Sequence, residues 1–406
     1  MNEHEILMNF VEENDIAFIH FCFIDMLGKL KNVAVMSYQL ERILSHGLSF
    51  DASAIPGFST IDKSDMILVP DMQTMVVLPW RPQIGRVAQV FCRIIYPDGS
   101  PFELDIRQLL KDYACRLKDV GYEIKLGVEC EFYLFELDDK GKPTMIPYDQ
   151  ASYCDAAPLD AGENIRREIC ETLMQMEIFP ECSHHEQGPG QNEVDFRYDD
   201  LVESCDHVMM FKQAVMMSSA AYGAAASFDP KPLKEESGNG LHMNLSLYYQ
   251  GRQLFNSDDD QVMKYFIAGI MAHIREITLF LNPSASSYER LGEKKAPGFI
   301  SYSHENRSQL IRIPAAREEY RRIELRSPDP SCNPYLAAYL VAAAGMDGVQ
   351  NQLVPPAESK EDLYLQPGIY ETLPQTFQEA KAAVKESEFV KKILPSAVIE
   401  FYLNKA

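Results

Sequence analysis

The sequence predicts an α+β protein of two domains, a strand-rich one over residues 1–98 and a larger one over 103–406. Three observations carry that expectation. Up to the turn "YPDGSPFE" (96–103) the chain reads as short strands and turns. From Leu104 onward, long helical patterns alternate with strands. Five short segments of that second region then set an apolar face against an ionised one, as in a sheet with one packed side.

In chain order, "AFIHFCFIDMLGKLKNVAV" alternates and turns at Gly28, which predicts two strands. "DMILVPDMQTMVVLPW" adds two short apolar runs, broken at Pro70 and Asp71. A helix is predicted from Asp160, where Glu163 completes a capping-box-like start and Ile165, Ile169, Leu173 and Met176 share one face. A second helix, rich in Met and Ala, is predicted over 207–226. A third is predicted to begin at Asp258, Asp259 and Asp260, where acids suit the positive end of the helix dipole, and to run to Leu281. The apolar run "YLAAYLVAAAGM" (335–346) falls short of the roughly 20 residues a bilayer needs, so a core helix is expected.

The charged strand faces carry the chemistry. In "GVECEFYLF", Val128, Cys130, Phe132 and Leu134 share a face and leave Glu129 and Glu131 on the other. In "NEVDFRY", Val194, Phe196 and Tyr198 oppose Glu193, Asp195 and Arg197. "LHMNLSL" presents His242, Asn244 and Ser246; "RRIELRSPDP" presents Arg322, Glu324 and Arg326; "QLIRIP" contributes Arg312. Each face alone reads as a solvated side of an antiparallel sheet. Together they crowd like charges, and two unit charges about 5 Å apart repel by roughly 3 kcal/mol at an effective dielectric near 20. A cation would relieve that repulsion. Glu129, Glu131, Glu186, Glu193 and Glu324 with one His form a hard, oxygen-rich set suited to Mg²⁺ or Mn²⁺ rather than Zn²⁺. Arg307, Arg312, Arg322 and Arg326 beside them could offset charge on a transferred phosphoryl group. The residues alone therefore point to a metal-dependent enzyme acting on a phosphorylated nucleotide.

Composition narrows the partners. A formal net charge of −22 argues against nucleic acid, since phosphate binding rests on clustered Lys and Arg. No membrane partner is expected. The acidic opening "MNEHEILMNFVEEND" has too short an apolar run for a signal peptide. The 9 cysteines include no Cys-x-x-Cys, which fits a reduced cytoplasmic protein. "SGNGLH" lacks the third glycine of a dinucleotide loop, and His184 and His185 are adjacent rather than four apart on a helix, against a zinc protease.

Taken in order, "GVECEFYLF", "HHEQGPGQNEVDFRY", "SGNGLHMNLSL", "ENRSQLIRIP" and "RRIELRSPDPSCNPYL" resemble the catalytic domain of the glutamine synthetase family. "FIDMLGKLKNVAV" and "GLSFDASAIPGFSTIDKSDMILVPD" resemble its N-terminal β-grasp domain, and the whole looks like the shorter bacterial form. The resemblance implies an antiparallel curved sheet, a half-barrel with surrounding helices, in the second domain. It implies two to three Mg²⁺ or Mn²⁺ ions per site and ATP as co-substrate. Glu131, Glu186 and Glu193 would hold one metal, and Glu129, His242 and Glu324 another. Arg307, Arg312 and Arg322 would contact ATP phosphates with His184 nearby, and Tyr198 and Ser246 would lie on the nucleoside side. Arg290 and Arg326 would hold glutamate carboxylates, with Ser237 and Gly238 at its amino group. Asp51 and Tyr153 would bound an ammonium pocket, Asp51 reaching from a neighbouring subunit of stacked rings, a dodecamer. By the same resemblance Asp51, Glu186, Arg307 and Arg326 would be catalytic, with Glu131, His242 and Lys295 at the substrate.

The sequence also departs from the family. Ser237 stands where an Asn is usual, and Ala54 where a Ser is usual. The flap "RLGEKKAPG" looks one residue short, so Lys295 falls where a Glu normally precedes "AP"; a gap placed elsewhere would bring Glu293 there instead. A carboxylate attracts ammonium and takes its proton, whereas a lysine does neither. The expected reaction is ATP-dependent glutamate–ammonia ligation through γ-glutamyl phosphate. The alternatives are the same chemistry with another amine or carboxylate, and a ring-forming member without catalysis.

Overall fold

The alternation before Met36 becomes an antiparallel pair, β1 (Ile16–Ile24) and β2 (Leu30–Met36), with the predicted turn between them. The structure, a computed structural model, describes residues 3–255, 260–316, 318–365 and 370–405. Four further strands complete a 6-stranded sheet: β3 (Leu48–Asp51), β4 (Asp65–Pro70), β5 (Val76–Val77) and β6 (Arg86–Ile95). Its order is β2-β1-β6-β4-β3, with β5 on β6; β1 and β6 run parallel and the other pairs antiparallel. This sheet belongs to one compact unit, Met1–Leu109 with Glu171–Ile178; the other unit is Leu110–Cys170 with Phe179–Ala406.

The second unit is built on an 11-stranded sheet around the long β7 (Tyr122–Leu137). Strands β8 (Pro143–Pro147), β9 (Pro180–His185), β10 (Gln191–Phe196), β11 (Asp199–Asp200), β12 (Ala224–Ser227) and β13 (Leu241–Tyr249) follow, then β14 (Arg252–Gln253), β15 (Tyr302–His304), β16 (Ile311–Ile313) and β17 (Ile323–Leu325). The main order is β15-β16-β17-β13-β7-β10-β9. Cys130, Phe132 and Leu134 of β7 are fully buried, and helix Leu201–Ala221 packs on that side, its Phe211 ring 6.0 Å from Phe132. Burial pushes the Cys130 thiol up to about 12, which fits a core residue rather than a nucleophile.

Helix ends depart from expectation in two places. The Met- and Ala-rich helix runs Leu201–Ala221, not over 207–226; the chain turns at Gly223 (φ +72°) and Ala224–Ser227 becomes a strand on β7. Alanine favours helix and is depleted in strands, so the pairing with β7 overrides local propensity here. Asp160 does not cap the helix Glu163–Gln175 through the Glu163 amide. It accepts from Gly162 N (3.1 Å) and is locked in a buried pair with Arg166, whose Nη1 also reaches Asn192. The third helix is Gln261–Leu281, preceded by Asp260, which pairs with Arg321 (2.7 Å); Asp258 and Asp259 lie outside the described residues.

Helices Gln261–Leu281 and Pro334–Asn351 cross at glycines. A Cβ on Gly269 would meet Ala344 O at 2.1 Å and Gly348 N at 2.6 Å, both unyielding backbone atoms. Gly269→Ala should therefore force the helices apart and destabilise the fold by about 2 kcal/mol, the usual scale of overpacking. Thermal unfolding measures it, and an unchanged melting temperature would show that the crossing is not tight. Among the described residues no helix is long and apolar enough to cross a membrane, and all nine cysteines are free.

Candidate active site

Strand register assembles the charged faces into one patch. β10 pairs antiparallel with β7 so that Glu193 faces Glu131 and Asp195 faces Glu129. On the far side of β10, His184 of β9 is opposite Glu193. On the far side of β7, β13 places His242 opposite Glu129. β17 continues the row with Glu324 opposite Asn244, and β16 puts Arg312 opposite Glu324. Since side chains alternate along each strand, this register aims the carboxylates, both imidazoles and the arginines from one face.

They line a cleft of about 1160 Å³: Glu129, Glu131, Glu186, Glu193, His184 and His242 with Arg307, Arg312, Arg322, Arg326, Tyr153 and Lys295. A second cleft of about 720 Å³ shares Glu129, Asp195 and Arg322 and is walled by Tyr198, Ser246 and Gly127. Glu324 is fully buried beneath the first, its two oxygens taken by Arg312 Nη1 (2.6 Å) and Arg326 Nε (3.0 Å), with His242 Nδ1 at 3.7 Å. Ser237 and Arg290 are buried, Ser237 O accepts from the Tyr133 hydroxyl (2.6 Å), and Gly238 O accepts from Gln191 Nε2 (3.1 Å). A Cβ on Gly238 would collide with Pro230 O at 2.4 Å and Arg290 Cγ at 2.8 Å, so the position admits glycine alone without rearrangement. Arg290 is buried and donates to Ser327 O (2.9 Å) and Arg326 O (3.2 Å). Asp51 belongs to the first unit, where its carboxylate accepts from Ser53 N (2.9 Å) and Ser53 Oγ (2.6 Å).

The electrostatics call for cations. Burial, then repulsion from Asp195 and Glu131, pushes Glu193 well above the usual carboxylate range. Burial and Glu131 push Glu186 up to about 7; burial and Glu129 do the same to Asp195. Glu129 goes the other way. Burial opposes its charge, but hydrogen bonds from His242 (3.2 Å) and Asn244 (2.9 Å), with Arg322 nearby, hold it well below the ordinary range. Burial lowers His184, which favours the neutral, ligating imidazole, and its Nδ1 is buried with no hydrogen-bond partner among the described residues.

Three triplets bring their donor atoms within 4.8 Å of one another: Glu129, His242 and Glu324; Glu131, Glu193 and His242; His184, Glu186 and Glu193. This donor set fits hard divalent cations. The first triplet groups the residues expected for one metal. The other two divide Glu131 and Glu186 and draw His184 in among the carboxylates, beside Glu193 (3.5 Å) and Glu186 (3.8 Å).

The contacts of two residues escaped sequence reasoning. Asn244 donates to Glu129 Oε1 and accepts from Arg322 Nε (3.0 Å), so it links a carboxylate to a cleft arginine. Its place two residues from His242 on the polar face was the available signal. Gln191 Nε2 contacts Glu131 Oε2 (3.3 Å) and Gly238 O (3.1 Å), and nothing in its sequence neighbourhood pointed to that.

Comparison with known proteins decides the family. The family model described as glutamine synthetase, catalytic domain, matches residues 103–406, and the one described as glutamine synthetase, beta-grasp domain, matches 15–97. The chain belongs to the glutamine synthetase family. It is 42% identical over 412 residues to a glutamine synthetase of Clostridium saccharobutylicum, covering 98% of this chain and 93% of that one. It is 41% identical to the glutamine synthetase of Methanosarcina mazei, with 98% and 92% covered. The solved structure of a GmaS/ADP complex superposes with a TM-score of 0.89 at 29% identity, covering 98% of this chain and 94% of that chain. As a member of the glutamine synthetase family the protein is an ATP-dependent ligase, with a β-grasp N-terminal domain and a catalytic domain of curled half-barrel sheet and helices.

Proposed function

We propose that the protein joins ammonia to the γ-carboxylate of glutamate with ATP, through γ-glutamyl phosphate. The observation that carries this reading is the single patch of carboxylates, imidazoles and arginines set by the register of β9, β10, β7, β13, β17 and β16. Tyr198 and Ser246 wall the adjoining cleft, where the nucleoside would lie, and Arg307, Arg312 and Arg322 would hold the phosphates. Bound Mg²⁺ or Mn²⁺, two to three per site on Glu129, Glu131, Glu186, Glu193, His242 and Glu324, would offset charge on the phosphoryl oxygens.

Arg326, kept charged by Glu324, and Arg290 would orient glutamate so that a γ-carboxylate oxygen attacks the γ-phosphorus as the bond to ADP breaks. A carboxylate is a poor electrophile until that oxygen becomes a leaving group. The ammonia lone pair then forms the C–N bond, phosphate departs with the C–O electron pair, and the surplus proton passes to a nearby base. Tyr153 and Asp51, the latter from a neighbouring subunit, would bound the acceptor. We further read residues 1–98 and 103–406 as the two domains, and the protein as cytoplasmic and assembled in stacked rings, a dodecamer.

A second reading keeps this chemistry with a different amine. Lys295 favours it, because that residue lines the cleft while Lys294 reaches Glu236 instead. The protein with Mg²⁺, ATP and glutamate, offered ammonia and then a panel of amines, separates the two. Ammonia-dependent ADP and glutamine support the first reading. Turnover with another amine alone supports the second, and none with any of them sinks both.

A further inference from the structure

Glu129 on β7 and Arg322, just before β17, carry opposite charges and line the same two clefts. Yet they form no ion pair with each other among the described residues. Asn244 stands between them. It lies on β13, opposite Gly127 of β7 on one side and Glu324 of β17 on the other. Its Nδ2 donates to Glu129 Oε1 (2.9 Å), and its Oδ1 accepts from Arg322 Nε (3.0 Å). The chemistry allows this orientation of the amide alone. Reversed, it would set oxygen against carboxylate and NH₂ against guanidinium.

The other partners of the two charged groups sharpen the point. Arg322 donates from Nη1 to Tyr320 O (3.2 Å), and Nη2 has no hydrogen bond among the described residues. The guanidinium is thus gripped at Nε and Nη1 by neutral oxygens, with the donors of Nη2 unspent. Arg312, by contrast, is paired directly with Glu324 (2.6 Å). A carboxylate partner offsets the charge of an arginine, whereas an amide or carbonyl oxygen orients it and leaves that charge for a phosphate. The same holds at the other end. A neutral amide donor holds Glu129 in place without neutralising it.

We propose that Asn244 is a positioning residue that holds Arg322 ready for the nucleotide phosphates and, by standing between them, keeps it from pairing with Glu129. The inference rests on the reading above of Arg322 as a phosphate arginine. Without the amide, two opposite charges face each other with nothing between them, and the long Arg322 side chain swings onto Glu129. That pair satisfies itself and takes the guanidinium away from the nucleotide.

Calorimetric titration of ADP into the full-length protein tests this, in EDTA so that no metal bridges protein and phosphate. Asn244→Leu keeps a branched side chain and removes both bonds. It should weaken ADP binding about tenfold, the scale of one hydrogen bond to a charged group. The double variant with Arg322→Gln should bind ADP no more weakly than Arg322→Gln alone, because Asn244 acts through that arginine. In a Glu129→Gln background the loss from Asn244→Leu should shrink, since no carboxylate remains to capture the guanidinium. Wild-type ADP affinity in Asn244→Leu overturns the proposal. So do additive losses with Arg322→Gln, which would mean that Asn244, a wall of the nucleoside cleft, meets the nucleotide itself. An undiminished loss in the Glu129→Gln background rejects the separating role. Should Asn244→Leu fail to fold, Asn244→Ala removes the same two bonds and is read the same way. Arg322→Gln checks the underlying reading by itself: wild-type ADP affinity there removes Arg322 from the phosphate site, and the role of Asn244 with it.

Discussion

Replacing Glu193 by glutamine is expected to raise the melting temperature of the metal-free protein while abolishing ligase turnover. The two effects have one cause. Glu193 faces Glu131 across the strand pair, shares a face with Asp195 and lies near Glu129 and Glu186. With no cation present these carboxylates repel, and the chain answers by holding protons well above the usual range. Glutamine has the shape of the protonated acid and cannot ionise, so Glu193→Gln should stabilise the metal-free fold by about 1 kcal/mol, a fraction of the bare Coulomb repulsion. Glutamine also lacks the charge that a hard cation requires. Turnover should fall by about 10³-fold, comparable to losing a principal electrostatic group in a site. The rise in melting temperature that Mg²⁺ gives the wild type should shrink accordingly. Differential scanning calorimetry with and without Mg²⁺ reads both signs. A metal-free variant that melts lower than wild type would mean the carboxylates do not oppose one another, and retained turnover would remove Glu193 from the metal set.

The legibility of this site follows from its construction on strands. Period-two alternation placed Glu129 with Glu131, and Glu193 with Asp195, before any pairing was known, because a strand allows no other arrangement. Which strand lies beside which is a long-range property. The row His184–Glu193–Glu131 and the row Asp195–Glu129–His242 needed the register itself. Helix ends were less legible where tertiary pairing overrides propensity: Ala224–Ser227 extends a helix-favouring, alanine-rich pattern, yet it pairs with β7 after the Gly223 turn. Asp160 carries a capping signature but spends its carboxylate on Arg166, a partner a buried acid needs more than a cap. The docking of the segment 359–365 was illegible for a different reason: Leu363 N donates to Ser308 Oγ and Glu361 O accepts from Asn306 and Gln309, and no local pattern encodes those long-range bonds.

Lys295→Glu is expected to raise kcat/KM for ammonia by about 30-fold, because Lys295 lines the cleft and Lys294 does not. Lys294 turns toward the 231–236 loop, its Nζ 3.9 Å from Glu236. Lys295 lines the cleft with Glu186, Tyr153 and Arg307, and no ion pair of its side chain occurs among the described residues. The flap backbone is tied on both sides of it, by Arg326 to Lys295 O and by Ala296 N to Glu293 O (2.9 Å), while Ala296 and Pro297 are buried. Exchanging the side chain should therefore leave the path of the flap intact. Lys295 adopts φ +78°, which costs glutamate as much as lysine, so the backbone does not bias the comparison. The exchange changes the local charge by two units. At about 8 Å and an effective dielectric near 40, that favours an approaching ammonium ion by about 2 kcal/mol, or about 30-fold. A carboxylate at this place can also accept the proton that the ammonium must lose before it attacks. Lys294→Glu makes the same charge change outside the cleft and should leave ammonia kinetics as they are. Equal responses of the two variants would mean that only net charge matters. A silent Lys295→Glu would show that acceptor choice lies elsewhere in the cleft wall, whereas the expected result, together with faster turnover of a larger amine by the wild type, would make Lys295 the residue that turns this ligase away from ammonia.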